Sequence, residues 1–147
     1  MVYGIIIIFI FLAEYLIKTI VELFVPWGEK KMFLKGHLFL TKYHNRGAAL
    51  NFMEKKRAWV AACSLILSII CTIVFILTLT KSGGEGLKLS LAFLLGGAYS
   101  NTYDRLRRKY VVDYIGFSRR RGNEIIYNLS DFCIILGALF ATIFGVK

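Results

Sequence analysis

The sequence predicts an all-α membrane protein with four transmembrane helices and a small β-rich cradle at the membrane interface. Hydrophobic residues make up 57% of the 147 residues, and the mean hydropathy is +0.62. A soluble domain of this size cannot bury so much apolar surface. Four apolar runs are long enough to span a bilayer, and one polar connection alternates as a β-strand does.

The predicted spans, in chain order, are Tyr3–Val25, Ala58–Thr80, Leu87–Tyr103 and Leu129–Val146. At about 1.5 Å per helical residue, runs of this length cross roughly 30 Å of hydrocarbon. The first run lacks a basic segment before it and a small-residue cleavage site, so we expect a retained helix and not a removable signal peptide. In the third run, Gly96, Gly97 and Ala98 are expected to let neighbouring helices approach closely.

The connections between the predicted spans are unequal. Long connections follow the first and third spans, whereas the tight turn KSGGEG joins the second to the third. An even number of spans places both termini on one side of the membrane and both long connections on the other. The first of these contains KMFLKGHLFLTKYHN, Lys31–Asn45, whose partial alternation predicts a small sheet. We expect a single domain over residues 1–147, with the cradle within about 26–50.

The net charge indicates which partners the chain can bind, and the cysteines and histidines indicate whether it holds a disulfide or a metal. The net charge is +10, and clustered Lys and Arg in so apolar a chain suit anionic lipid headgroups better than nucleic acid. We therefore expect membrane phospholipids as partners and no nucleic acid. Cys63, Cys71 and Cys133 lie inside apolar runs and are expected to be thiols packed as small hydrophobes. His37 and His44 stand apart from acids and thiols, so no metal site is predicted.

Two ionisable residues lie within the first span, where each costs a few kcal/mol unless it has a partner. Glu14 and Lys18 are four residues apart, with the acid before the base, so they share one helix face and can pair. A self-neutralising pair, or a Lys18 that extends to the interface, explains them as well as a functional role does.

Two polar residues lie at the end of the third span. Asn101 and Asp104 are three apart and share a face if the helix continues. The C-terminal end of a helix dipole disfavours negative charge, so Asp104 needs a nearby cation. Arg105 and Arg108 are the available cations, and we expect Arg105 to compensate Asp104. A structural salt bridge with one of them is an alternative to a functional role for Asp104.

Two further carboxylates flank the second long connection. Asp113 follows the short apolar patch KYVV, which predicts a partly dry surrounding. Asn128 is a suitable N-cap for the last helix, and Asp131 stands three residues later, where an acid binds free backbone N–H groups. An ordinary capping box explains Asp131 but not Asp113. Both residues emerge on the same side of the membrane, so they can converge.

A convergent pair of carboxyl groups has a definite chemistry. Two such groups close together cannot both ionise cheaply, so they share a proton, and one acts as base while the other acts as acid. That is the arrangement for hydrolysis of an amide by an activated water. Because the positive end of a helix dipole favours the charged form of Asp131, we expect Asp113 to hold the proton in the resting state.

Four blocks of the sequence, in order, resemble the signal peptidase II family of prolipoprotein signal peptidases, which are four-helix membrane aspartyl proteases. They are HNRGAALNF, GGAYSNTYDR, VVDYI and NLSD. The resemblance implies that Asp113 and Asp131 form the catalytic dyad. It also implies residues that bind substrate or support the dyad, namely Glu14, Lys18, Asn45, Gly47, Asn101, Asp104, Arg105 and Asn128.

The resemblance implies a bacterial prolipoprotein substrate whose lipobox cysteine carries diacylglycerol, cut on the N-terminal side of that cysteine. It implies an enzyme of the cytoplasmic membrane that needs no metal or organic cofactor. Nothing in the sequence requires more than a monomer, so we expect a monomer. It also places the cradle and the active site at the outer face and both termini in the cytoplasm. The charge pattern alone argues the reverse, because basic connections usually stay in the cytoplasm. We follow the resemblance, since connections that bind anionic lipid or substrate have their own reason to be basic.

The sequence departs from the family pattern in the first helix and beside two of the blocks. Glu14 stands in place of the usual aspartate, and Ile17 replaces a serine. Leu50 replaces an aromatic residue, and Ser130 replaces an alanine. These departures leave room for an alternative, an inactive relative that binds lipidated peptides without cutting them. A small transporter that uses Glu14 and Asp104 as an ion relay is a third hypothesis.

Overall fold

The computed structural model describes residues 1–48, 51–118 and 124–145, and Leu50, Arg119–Arg121 and Val146 lie outside them. The described chain forms a bundle of long helices with a small sheet at one end. The helices are α1 Val2–Phe24, α2 Arg57–Leu79, α3 Glu85–Arg107 and α4 Leu129–Gly145. Each begins within two residues of a predicted apolar run, but α3 extends further at its C-terminal end and carries Asp104 with it.

Helix α3 is the centre of the bundle, since it packs against α1, α2 and α4. The glycines predicted to allow close approach do so. A Cβ atom on Gly96 would meet the side chain of Ile10 on α1, and one on Gly97 would meet the backbone oxygen of Ser130 on α4. The absence of a side chain at these positions therefore sets how near α1 and α4 lie to α3.

The outer surfaces of α1, α2 and α4 are apolar. Ile8, Leu67 and Leu139 are each more than half exposed, as expected of side chains that face lipid. In the described chain, Val2–Phe24 and Glu54–Leu79 are long and apolar enough to cross a membrane. Helix α3 is more polar because it buries polar side chains between its neighbours, and α4 has 17 residues. The third and fourth spans therefore stay predictions.

The sheet contains strands from both long connections. Its order is β1-β2-β3-β4, all antiparallel, and the strands are β1 Lys31–Phe33, β2 Leu38–Asn45, β3 Val111–Phe117 and β4 Ile125–Tyr127. The prediction that the cradle lies within about 26–50 was therefore wrong in extent. Half of the strands come from the second connection, where the β-branched residues Val111 and Val112 favour a strand.

Strand β2 contains a bulge that positions one polar residue. Leu40 pairs with Ile115, but Tyr43 pairs with Asp113, so β2 has one residue more than β3 over this stretch. Because side chains alternate along a strand, one extra residue moves those beyond it to the other face. Asn45, which pairs with Val111, therefore lies on the same face as Asp113.

Candidate active site

A cleft of about 210 Å³ lies where the sheet meets the ends of α3 and α4. Asp113 on β3 and Asp131 in the first turn of α4 both line it. The remaining lining residues are mostly apolar and are Asn45, Arg105, Val111, Ile126, Tyr127, Ile134 and Ile135. The fold thus brings the two predicted carboxylates to one cavity with little polar surface around them.

Asp113 is held by two side-chain amides. Asn128 Nδ2 donates to its Oδ1 at 2.6 Å, and Asn45 Nδ2 donates to its Oδ2 at 3.0 Å. Asp113 is 2% exposed. Burial, reinforced by the negative charge of Asp131, raises the pKa of Asp113 to about 7, although the two amide hydrogen bonds act in the opposite direction. Asp113 can therefore carry a proton near neutral pH.

Asp131 forms the predicted capping box with Asn128. The backbone N–H of Asp131 donates to Asn128 Oδ1 at 3.0 Å, and the backbone N–H of Asn128 donates to Asp131 Oδ2 at 3.1 Å. The other carboxylate oxygen, Oδ1, accepts from Asn101 Nδ2 at 2.9 Å. Asn128 therefore contacts both carboxylates, that of Asp113 through its side-chain amide and that of Asp131 through its backbone N–H.

A buried lysine orients Asn101. Lys18 is fully buried, and its Nζ donates to Asn101 Oδ1 at 2.8 Å and to Ser100 Oγ at 3.1 Å. It also lies 2.9 Å from Asp104 Oδ2 and 3.6 Å from Glu14 Oε1. Because Lys18 occupies the amide oxygen of Asn101, the amide nitrogen must face Asp131.

The expectation that Arg105 compensates Asp104 was wrong. Asp104 pairs with Lys18 and, at 3.4 Å, with Arg108 Nε. Arg105 is the next residue on the helix, so it points about 100° away from Asp104 and lines the cleft. Its guanidinium donates to the backbone oxygens of Asn101 and Gly47, each at 3.3 Å.

Glu14 does not line the cleft but lies behind it. Its Oε2 accepts from the Tyr114 hydroxyl at 2.9 Å, and its Oε1 accepts from the Ser130 backbone N–H at 3.2 Å. Tyr114 also accepts from the backbone N–H of Leu129 at 3.3 Å. Glu14 therefore connects α1 to the strand that carries Asp113 and to the helix that carries Asp131.

Tyr114 was missed by sequence reasoning, although a signal existed. Strand alternation places it on the opposite face from Asp113, toward α1, where a buried Glu14 requires hydrogen-bond donors. Burial and the nearby Glu14 carboxylate raise the pKa of the Tyr114 hydroxyl, so it stays a donor at all ordinary pH values.

Gly47 is buried beside the cleft. Its backbone N–H donates to Asn45 Oδ1 at 3.0 Å, which leaves the amide nitrogen of Asn45 free for Asp113. A Cβ atom at Gly47 would meet the backbone oxygen of Phe52, so only glycine fits. Within the ranges that the structure describes, His, Cys, Asp and Glu side chains do not gather in groups able to hold a metal ion.

Comparison with known proteins gives consistent matches over the whole fold. A model of the family described as Signal peptidase (SPase) II matches residues 6–147. A protein named Lipoprotein signal peptidase from Caldicellulosiruptor bescii is 35% identical over 148 residues, covering 100% of this chain and 92% of that protein. A protein of the same name from Clostridium tetani is 30% identical over 121 residues, covering 82% of this chain and 76% of that protein.

The fold also has a match among solved structures. A structure described as "Bacterial membrane enzyme structure by the in meso method at 2.3 A resolution" aligns with a TM-score of 0.83. The alignment covers 99% of this chain and 88% of that one, at 22% sequence identity. At this level of identity the similarity establishes the fold, a mostly helical bundle with a small antiparallel sheet.

Proposed function

Because this chain belongs to the signal peptidase II family, we propose that it is an aspartyl endopeptidase that removes signal peptides from prolipoproteins. Family membership itself makes the chain a lipoprotein-processing protease of bacterial type. The observation that carries the aspartyl mechanism is that Asp113 and Asp131 line one cleft, each held by separate amide donors.

The first step is attack of water on the scissile carbonyl. Asp131, the carboxylate at the helix N-terminus, accepts a proton from a water in the cleft as the water oxygen bonds to the carbonyl carbon. Asp113 supplies its proton to the carbonyl oxygen, which becomes a hydroxyl in a tetrahedral intermediate. The raised pKa of Asp113 supports its role as the acid.

The second step breaks the C–N bond. The proton that Asp131 took from water passes to the leaving nitrogen, and the hydroxyl proton returns to Asp113 as the carbonyl re-forms. The products are a carboxylic acid and an amine, and the dyad again holds one proton. Arg105, whose guanidinium lines the same cleft, is a candidate to position the peptide backbone.

We propose a diacylglyceryl-modified substrate, cut on the N-terminal side of the lipobox cysteine. Ile126, Ile134 and Ile135 give the cleft an apolar side, and the helix surfaces next to it expose large apolar residues. Acyl chains can therefore stay in the bilayer while the scissile peptide reaches the dyad. The family resemblance supplies the position of the cut.

In the same proposal the chain acts as a single domain and a monomer, with all four helices spanning the cytoplasmic membrane. The sheet and the cleft lie at the outer face, and both termini lie in the cytoplasm. Two apolar spans and the lipid-facing surface of α4 support this placement. The central position of α3 among α1, α2 and α4 supports it also, because a helix shielded by its neighbours can cross a bilayer while it carries polar residues.

The proposal is tested with purified protein and a diacylglyceryl-modified lipobox peptide. The wild type is expected to release the signal fragment, and Asp113→Asn and Asp131→Asn are each expected to lower kcat at least about 100-fold. Glu85→Gln is a matched control, because Glu85 is exposed at the opposite end of α3. Unchanged turnover in both aspartate variants would exclude the dyad, and peptide binding without release by the wild type would favour the inactive relative.

A further inference from the structure

A continuous groove runs between α2 and α3, and it is distinct from the catalytic cleft. Its upper part, about 540 Å³, lies at the start of α2 and the end of α3, and its lower part is about 490 Å³. Leu65 and Leu106 line both parts. The groove therefore leads from the end of the bundle that carries the sheet along the exposed apolar surface between α2 and α3.

The upper part is strongly basic. Arg46, Arg57, Arg105 and Lys109 line it, together with small and apolar residues, and its lining contains no carboxylate. Among the described residues, none of these four cations takes part in an ion pair. The positions outside the described ranges contain no Asp or Glu. Like charges gathered in this way favour binding of an anion.

The lower part is apolar. Leu65, Ile69 and Ile73 line it from α2, and their spacing places them on one helix face. Its hydroxyl groups bond to one another, as Ser68 does with Thr102 at 3.0 Å. From residue 65 to residue 73 the groove extends about 12 Å at about 1.5 Å per residue, close to the roughly 15 Å of one leaflet.

We propose that this groove binds one phospholipid with an anionic headgroup. The phosphate contacts Arg46, Arg57 and Lys109, and an acyl chain lies in the lower part. The lipid moiety of a diacylglyceryl-modified substrate carries no charge, so it does not account for the cations. Arg105 lines both the groove and the catalytic cleft, so the bound phosphate lies next to the active site.

The test is native mass spectrometry of the full chain in detergent, with dioleoyl phosphatidylglycerol and dioleoyl phosphatidylcholine as probes. We expect one phosphatidylglycerol to bind at least tenfold more tightly than phosphatidylcholine. Each cation near an anionic headgroup contributes about fivefold to affinity. The double variant Arg57→Gln/Lys109→Asn is therefore expected to weaken phosphatidylglycerol binding about 25-fold. Asparagine is chosen because Lys109 has a φ of 68°, which asparagine tolerates.

Two further variants keep the outcome decisive. Lys31→Gln/Lys35→Asn removes the same charge from exposed positions at the sheet edge and is expected to leave binding unchanged. Leu65→Trp fills the junction of the two parts and is expected to weaken both lipids. Equal affinity for the two lipids, an equal loss in the control, or displacement by glycerol 3-phosphate alone would overturn the proposal. The assay needs no turnover, so its result is independent of the peptidase function.

Discussion

Asn128 shows at the scale of one residue why an amide is required between the two carboxylates. Its oxygen accepts from the backbone of Asp131, and its nitrogen donates to Asp113. An aspartate or a serine at this position could cap the helix equally well, but only an amide offers an acceptor and separate donors on one rigid group. Helix capping and placement of the dyad therefore depend on the same side chain.

Asn45→Ala tests the electrostatics of Asp113. The hydrogen bond from Asn45 lowers the pKa of Asp113, so its loss moves that pKa above about 7. Because Asp113 must be protonated to act as the acid, wild-type kcat is expected to fall as the pH rises through about 7. In the variant, the maximal kcat is expected to be lower than in the wild type. The pH at which kcat begins to fall is expected to be higher. A pH–rate profile measures the shift, and an unshifted or acid-shifted limb would contradict the assignment.

Asp113→Asn tests the cost of the buried carboxylate. The ordinary pKa of 3.8 is raised to about 7 in the folded chain, so the folded state holds more protons between these values. The contribution of Asp113 to stability is therefore complete below about pH 4 and is lost as the pH rises through 7. We therefore measure the Tm of the variant minus the Tm of the wild type at two pH values. This difference is expected to be more positive at pH 8.5 than at pH 5.

The control for this measurement is Glu54→Gln, at an exposed position. It reports how much of the pH dependence follows from removing any carboxyl group. A Tm difference for Asp113→Asn that is constant with pH, or that follows the control, would show that Asp113 does not titrate in this range.

At the scale of elements, Lys18 and Asp104 tie α1 to α3 with a buried ion pair. Removing one partner leaves an uncompensated charge and costs about 3–5 kcal/mol, whereas replacing both is much less costly. Lys18→Met is therefore expected to lower Tm strongly. Lys18→Met/Asp104→Leu is expected to recover only the part of the loss that comes from Asp104, because Glu14 still lacks its cation. Thermal unfolding in detergent measures both variants. A double variant no more stable than Lys18→Met would contradict the pairing.

The elements that could be predicted from sequence are those with local signals. The apolar runs predicted α1 and α2 closely, and the spacing of Asn128 and Asp131 predicted the capping box. The pairing of β2 with β3 could not be predicted from local patterns. It depends on contacts between distant segments and on a bulge that alternation alone does not reveal.

The partner of Asp104 at the candidate site also depends on a contact between distant segments, and it could not be predicted from the sequence. Sequence proximity favoured Arg105, but the helix turns it away, and Lys18 approaches from another helix. The residues around the dyad were predicted largely through family resemblance. Their hydrogen bonds depend on how three helices and a sheet meet, which single-sequence patterns do not specify.

At the scale of the whole molecule, polar and apolar groups are separated along the bundle. Most of the buried polar residues of α3 lie at the end that meets the sheet, namely Ser100, Asn101, Thr102 and Asp104, whereas Lys88 and Ser90 lie near its start. The outer helix surfaces remain apolar. Polar chemistry can therefore lie at the membrane boundary, where water and a peptide substrate can enter, while the rest of the bundle contacts lipid.

Two features of the chain favour opposite orientations of this bundle in the membrane. The basic connections favour a cytoplasmic sheet by the usual charge bias, whereas we propose that the sheet lies outside. The groove proposed above weakens the first argument, because cations that bind a headgroup are basic for a local reason. The test introduces Lys31→Cys in β1 or Ser82→Cys in the turn between α2 and α3, both exposed, after Cys63, Cys71 and Cys133 are replaced by alanine.

An impermeant maleimide added to right-side-out spheroplasts is expected to label Lys31→Cys and not Ser82→Cys, and detergent is expected to expose both. The reverse pattern would place the sheet in the cytoplasm, on the side where a prolipoprotein has not yet crossed the membrane. Labelling of both positions before detergent would mean that they lie on the same side, so that α2 does not cross the membrane between them. The experiment therefore tests the number of spans as well as their direction, because α2 alone separates the two positions in the proposed arrangement.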